Sequence, residues 1–270
     1  MKIRLLLVMG LLCFLCGQTF ALSFMGPPTA QHNQGRWSVG YNYSYSVQDL
    51  DESKIDWFMI SDDATTSTGE GHLEFEDLTA QRHYVGINCG FTDWWELYAR
   101  IGLSDVKSDI HWIEDERDTG YNFDTDYAWG WGTKLTFSKS ETVAWGAALH
   151  LNWLDTSTAK TVNTGSGPRR DTITIDTYEL IFSVGPTVDM GGWKLYGGPF
   201  YYALDGDYDR EVNFFRLDYI EREDAHIEED GSFGALIGAV VDLADDSDLT
   251  TEVFFTSDGW GLGAGIAQKF

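Results

Sequence analysis

From residue 36 to the end, apolar and polar positions alternate with a period of two, the spacing of strands whose two faces meet different surroundings. In RWSVGYNYSYSV, residues Trp37, Val39, Tyr41, Tyr43, Tyr45 and Val47 fall on one face, with Arg36, Ser38, Gly40, Asn42, Ser44 and Ser46 on the other. The same alternation predicts further strands in QRHYVGINCGF, WWELYARIGLS, DYAWGWGTKLTF, VAWGAALHLNW, DTYELIFSVGPTV, WKLYGGPFYYAL, FGALIGAVVDL, LTTEVFFT and the closing GWGLGAGIAQKF, ten in all. Between Trp193 and Leu204 both registers carry aromatic residues, so the faces of that strand stay unassigned.

The connections alternate as well. Long acidic stretches over 48–78, 105–126, 156–171 and 205–230 are separated by short turns at Thr92-Asp93, Ser138 to Glu141, Met190 to Gly192 and Ala244 to Asp248. A soluble β-sandwich also alternates, but it has no reason to alternate long and short connections. Here Trp and Tyr sit near the ends of the apolar faces, while the opposite faces carry Gly, Ser, Asn, Arg, Lys and Glu. Polar inside and apolar outside is what a bilayer demands of a sheet, which must also close so that no backbone group is left unpaired. The pattern therefore predicts an all-β fold: a closed antiparallel transmembrane β-barrel of about ten strands in an up-and-down meander.

The first residues add a compartment. Lys2 and Arg4 precede an apolar run from Leu5 to Cys16, and Thr19-Phe20-Ala21 fits a signal-peptidase site, so residues 1–21 read as a signal peptide. Neither Cys13 nor Cys16 follows the small residue a lipoprotein signal needs. Residues 22–35 are then expected as a short N-terminal periplasmic segment, and 36–270 as the barrel with long acidic extracellular loops. Cys89 is left without a partner for a disulfide within the chain. The formal charge of −25 excludes nucleic acid as a partner.

At this point YVGINCGFTDWWELYARIGLS and the closing GALIGAVVDLADDSDLTTEVFFTSDGWGLGAGIAQKF resemble the small bacterial outer-membrane β-barrels, the OmpA/OmpX-like superfamily. The resemblance spans about 36 to 270 as a strand pattern. It implies a bacterial outer-membrane location with both termini in the periplasm, lipid and lipopolysaccharide around the barrel, and a terminal aromatic, here Phe270, read by the barrel-insertion machinery.

Taking the polar faces as the lumen gathers Arg82, Glu96, Arg100, Lys134, Glu179 and Glu252, with Arg36 and Lys269 nearer the strand ends. Burying such charges unpaired costs several kcal/mol, so they are expected to pair into a network that plugs the barrel, Arg100 with one of the glutamates. A water-filled lumen would instead make a narrow, cation-preferring porin. Outside, ten acids face one lysine over 48–78 and eleven acids face three arginines over 205–230. The DGDYD run sets Asp205, Asp207 and Asp209 at alternate positions, which suggests a calcium site in a loop, with no other cofactor expected. IDWFMI and VNFFRLDYI place apolar residues among those acids, as an adhesin would. A hydrolase would need His111, His150 or His226 beside acids, and no enzyme signature accompanies them, so no catalytic site is expected. The sequence thus favours a barrel with a structural or surface-interaction role.

Overall fold

The computed structural model describes residues 23–60, 66–113, 117–164, 167–215 and 219–270, and the signal peptide expected over 1–21 lies outside them. Twelve strands are found among the described residues: β1 (Trp37–Gln48), β2 (Ser53–Ile60), β3 (Thr66–Thr92), β4 (Trp95–Trp112), β5 (Arg117–Asn122), β6 (Asp126–Lys139), β7 (Val143–Thr164), β8 (Gly167–Asp189), β9 (Trp193–Phe214), β10 (Tyr219–Ala244), β11 (Ser247–Phe255) and β12 (Gly259–Lys269). All pairings are antiparallel. Ten strands form a closed ring in the order β1, β3, β4, β6, β7, β8, β9, β10, β11, β12 and back to β1. The seam runs from Ser38 opposite Lys269 to Gln48 opposite Gly259. Below it the Phe270 amide donates to the Trp37 carbonyl at 2.8 Å, and the two rings stack with centroids 4.4 Å apart.

This ring carries the short turns and wears an apolar belt. Val85, Ile87, Phe91, Ile101, Trp129, Trp131 and Phe137 all point outward and are exposed, Ile101 at 62% and Phe233 at 76%. Exposed apolar surface on this scale is covered by hydrocarbon in a barrel of this kind. The register of β9 is settled too: Tyr196, Phe200 and Tyr202 face inward and Leu195 and Tyr201 outward.

Most of the stretches expected as long acidic loops are strands. β3, β4, β7, β8, β9 and β10 run on past the belt, and β2 and β5 join them. β2 pairs with both β3 and β10, filling the gap above the shorter β1, β11 and β12. β5 pairs with β4 and meets β7 through the Thr158 hydroxyl, which donates to the Asn122 carbonyl at 2.8 Å. The result is a second, upper ring of eight strands among the described residues.

The two rings have opposite chemistry. In β4, Arg100 and Ser104 face inward and Ile101 and Leu103 outward; above them the inward positions are Val106, Ile110 and Trp112, and the outward ones Asp105, Lys107 and Asp109. β7 makes the same exchange between Asn152 and Trp153 below and Leu154 and Asp155 above. In β3 and β10 a bulge intervenes at the boundary, between Glu76 and Thr79 and between Glu229 and Ser232, where Asp77 and Gly231 have positive φ. One extra residue moves the inward set from odd to even positions, from Leu73 and Phe75 to Leu78 and Ala80 in β3. Above the belt water replaces hydrocarbon, so the ordinary arrangement returns, apolar within and charged without.

Inside the upper ring Phe75 and Tyr208 meet edge to face across the bore at 5.6 Å, and Leu73, Phe75, Ile110 and Ile173 are fully buried. An eight-stranded ring is narrow enough for side chains alone to fill. Phe75→Ala is therefore expected to destabilise the upper ring by about 3–5 kcal/mol. Limited proteolysis should show new cuts within 53–78 and 105–125, while the heat-modifiable gel band of the lower barrel persists.

Candidate functional site in the barrel lumen

Residues 22–35 were expected below the barrel, but from Ser23 to His32 they form a strap inside it. Ser23, Met25, Thr29 and His32 are buried, the first completely. Pro27 and Pro28 cannot join a ladder, so the strap's amides seek side chains instead of a neighbouring strand.

The lumen charges are arranged around this strap. Glu252 accepts the Met25 amide at 2.6 Å and the Gly26 amide at 2.7 Å, together with the Tyr196 hydroxyl at 2.8 Å. Glu96 accepts the Gln31 amide at 2.8 Å and the His32 amide at 3.1 Å, and His32 Nδ1 lies 2.8 Å from the same oxygen. Each carboxylate therefore grips two consecutive amides of the strap, which bends there with Gly26 at positive φ, a charge-assisted arrangement stronger than neutral hydrogen bonds. Lys194 Nζ donates to Gln31 Oε1 at 3.0 Å, and the Thr29 and Thr187 hydroxyls meet at 2.7 Å.

At the inner end of the strap the Arg82 guanidinium donates to Glu179 Oε1 and to Ser23 Oγ, both at 2.5 Å, and Ser23 Oγ donates to Glu179 Oε2 at 3.0 Å. Arg100 differs from the expectation. Among the described residues it pairs with no glutamate; it donates to Asn152 Oδ1 and, at 2.6 Å, to the Phe24 carbonyl, and its guanidinium stacks 4.7 Å from the centre of the Tyr84 ring. Neutral acceptors suffice because Asn152 in turn donates to Glu179, so the amide relays Arg100 to the acid. Lys134 lies 5.8 Å from the centre of the Tyr98 ring, and the Tyr98 hydroxyl is hydrogen-bonded to His150, whose side chain is fully buried. His150 is thus part of the lumen filling.

Among the described residues, a small void of about 20 Å³ lies above Arg82, walled by Leu78, Val106, Leu154, Ile175 and Leu204. That is room for about one water molecule. Higher still, Arg210 is enclosed between Asp171 at 3.3 Å and Glu223 at 2.5 Å, beneath the face of Trp112.

On the outer wall, Asp205, Asp207 and Asp209 do not form a calcium loop. They occupy alternate outward positions of β9, a strand and not a loop, and Asp205 and Asp209 stand about 13 Å apart along it, too far for all three to share one ion bonded at 2.3–2.6 Å. Among the described residues no group of three or more His, Cys, Asp or Glu side chains is placed to hold a metal. Instead Asp155, Asp176 and Asp207 stand opposite one another on β7, β8 and β9, and Asp209 faces Asp224 on β10. His226 lies 3.4 Å from Asp207 and 3.7 Å from Asp205, exposed on the convex wall. His111 lies on β4 opposite Glu74 of β3.

No family model matches the chain, and no curated protein matches it. Among solved structures, the outer-membrane protease OmpT from Escherichia coli matches 94% of this chain and all of its own at 9% identity, with a TM-score of 0.51. The translocator domain of the autotransporter NalP from Neisseria meningitidis matches 89% and 90% of the two chains at 10% identity and TM-score 0.45, and OprG from Pseudomonas aeruginosa 88% and 97% at 11% and 0.42. The fold is that of the small bacterial outer-membrane β-barrels. At such identity the likeness concerns the fold alone.

The strap was the part of the barrel interior that sequence reasoning missed. Its one signal is that residues 22–35 contain no Asp, Glu, Lys or Arg in a chain otherwise crowded with acids. An uncharged segment is what a lumen already lined by acids and bases of its own can accept.

Two outcomes follow for this barrel. Arg82→Ala leaves Glu179 charged and buried, so it should cost about 3–5 kcal/mol, whereas replacing both residues by apolar ones of similar volume should cost much less; urea unfolding followed by the gel shift measures both. In the upper ring, outside the belt, burial and the hydrogen bond with Asp224 raise the Asp209 carboxyl above the ordinary range. A raised acid prefers its protonated form in the fold, so its contribution falls as pH rises from the unfolded value through the folded one. Asp209→Asn should therefore be more stable than the parent at pH 7, by roughly 0.2–1 kcal/mol for an opposed like-charge pair, and equal to it below about pH 4. Thermal melts across that range decide it.

Proposed function

We propose that this protein is an integral outer-membrane barrel with a structural or surface-interaction role, whose working part is the acidic upper ring. The observation that carries this reading is the filling of the bore along its length: the strap occupies the belt region, and packed apolar side chains occupy the ring above it. Among the described residues a cavity of about 240 Å³ opens beside Thr29 to Asn33 at the short-turn end, but above Arg82 the void is only about 20 Å³, which supports a closed bore over a narrow porin. Both termini would lie on the periplasmic side, with Phe270 against Trp37 at the base of the seam as the end recognised during insertion. Lipopolysaccharide would surround the rim, where the belt gives way to the acids.

The surface on offer is acidic, with apolar side chains toward the tip of β2 and β9, including Ile60 at 43% and Phe215 at 59% exposure. That composition suits attachment to another surface better than hydrolysis. His226 and its neighbouring acids stand on a convex wall, and we assign them no catalytic role.

Planar-bilayer recording tests the reading. The refolded, heat-modifiable protein should give no steps, and deletion of residues 22–34 should stay silent too, because the upper ring still closes the bore. Steady cation-selective steps from the intact protein would overturn the reading. On whole cells, Ile60→Ser with Phe215→Ser should reduce attachment without altering the gel shift.

A further inference from the structure

Two of the chain's five prolines, Pro186 and Pro199, stand on the outward faces of neighbouring strands within the belt, between exposed Phe182 and Leu195. β8 and β9 pair regularly as far as Ser183 opposite Phe200 and again from Thr187 opposite Tyr196, with the register unchanged, but residues 184–186 and 197–199 between them form no ladder. The turn below shows why. The Met190 amide donates to the Trp193 carbonyl at 2.9 Å, so the positions that exchange hydrogen bonds along this pair are 188 with 195, 186 with 197 and 184 with 199. Proline has no N–H, so Pro186 leaves the Gly197 carbonyl, and Pro199 the Val184 carbonyl, without its ladder donor. Gly185 and Gly198 lie so close to these two oxygens that a Cβ on either would collide, and they offer C–H groups in place of N–H. Two successive ladder bonds are thus replaced by weaker contacts where a lost hydrogen bond is most costly. Over the same residues β7 and β8 pair without a break, from Val143 opposite Val188 to Leu149 opposite Phe182.

Thr187, next to Pro186, borders the cavity of about 240 Å³ that lies between the strap and the wall at the short-turn end. Lys139 and Lys194 line this cavity together with Asp93, Glu141 and Asp189. Lys194 Nζ donates to Gln31 Oε1 at 3.0 Å and Asp189 accepts the Gly191 amide at 2.8 Å. An ammonium carries three protons and a carboxylate about four acceptor sites, so both keep capacity for a ligand. The volume falls below the roughly 300–1,000 Å³ that encloses a whole small-molecule ligand, and it suits a polar head whose remainder stays outside. We infer that this cavity holds the zwitterionic head of a phospholipid, with its phosphate on Lys139 and Lys194 and its ammonium on Glu141 and Asp189, and that the head enters from the surrounding leaflet by parting β8 from β9 at the two prolines. The glycerol then lies between the parted strands and the acyl chains stay in hydrocarbon beside Pro186 and Pro199. Parting the wall there breaks two fewer hydrogen bonds than along an unbroken stretch of the same length. The inference takes from the reading above only the side on which the cavity lies, the periplasmic leaflet, and the closed bore does not depend on it.

The test looks for the head beside the strap. The protein is refolded into lipid nanodiscs of phosphatidylethanolamine labelled with ¹³C in the ethanolamine carbons, its folding is confirmed by gel shift, and magnetisation transfer from those carbons is measured by NMR. Transfer is expected to the protons of His32 and Asn33, and nanodiscs of phosphatidylglycerol, whose head has no ammonium, should give no comparable contact. Pro186→Ala with Pro199→Ala returns both ladder donors and should weaken the transfer about tenfold, as two restored hydrogen bonds depopulate the parted wall. Lys139→Gln should weaken it as well while leaving the wall unchanged. Absence of transfer in the parent protein would overturn the site. Undiminished transfer in the proline double variant would mean that the head arrives through the open mouth from water, and would overturn entry through the wall. Undiminished transfer in Lys139→Gln, or equal contact from phosphatidylglycerol, would overturn the zwitterionic recognition. In each case the planar-bilayer recording still reports separately on the closed bore.

Discussion

A polar group placed in hydrocarbon without a partner costs several kcal/mol, and every level of this structure answers to that penalty. It closes the ten-stranded ring, since an open sheet would leave a row of amides and carbonyls in lipid at β1 and β12. It also governs the interior. Arg82, Glu96, Arg100, Lys134, Glu179 and Glu252 face a lumen screened from water, and of these Arg100 and Glu252 meet no partner of opposite charge directly among the described residues. The strap supplies the missing partners. Its amides go to Glu96 and Glu252, and its carbonyl at Phe24 goes to Arg100.

Where the lipid ends the penalty changes sign, and so does the sheet. The strands that continue upward keep their inward and outward positions but exchange the residue types that fill them. The exchange occurs at one level around the wall, at Leu103 to Val106 in β4 and at Trp153 to Asp155 in β7, which marks the outer boundary of the belt more sharply than any single aromatic residue. Losing two strands also narrows the bore, so the upper ring can be sealed by Phe75, Tyr208 and their neighbours, without a second strap.

Much of the lower ring was legible in the sequence because one rule, apolar positions outward, holds along each of its strands. The same rule concealed the upper ring. Asp105 falls where outward Ile101 and Leu103 precede it, so the sequence reads β4 as ending at Ser104, although Val106, Ile110 and Trp112 continue the inward set. In β3 and β10 the bulges at Asp77 and Gly231 shift the period by one, and no alternation survives across them. In the lumen, the alternation named the charged residues but not their partners. Arg100 is matched to an amide and a distant carbonyl, a relation set by how far the strap rises within the barrel and by nothing near Arg100 in sequence.

The place of β2 bears on the order in which the molecule comes together. It is inserted between β3 and β10, so the upper ring closes by joining a segment near the start of the chain to one near its end. Contacts between such distant parts form late, because the loop they close must be ordered before any reward is gained. β10 is held along its length by β9, and in its lower half it also pairs with β11, which leads through β12 back to β1. Both rings thus close through the one strand, the upper at β2 and the lower by way of β11, so a change in the register of β10 would disturb the exposed and the embedded halves together.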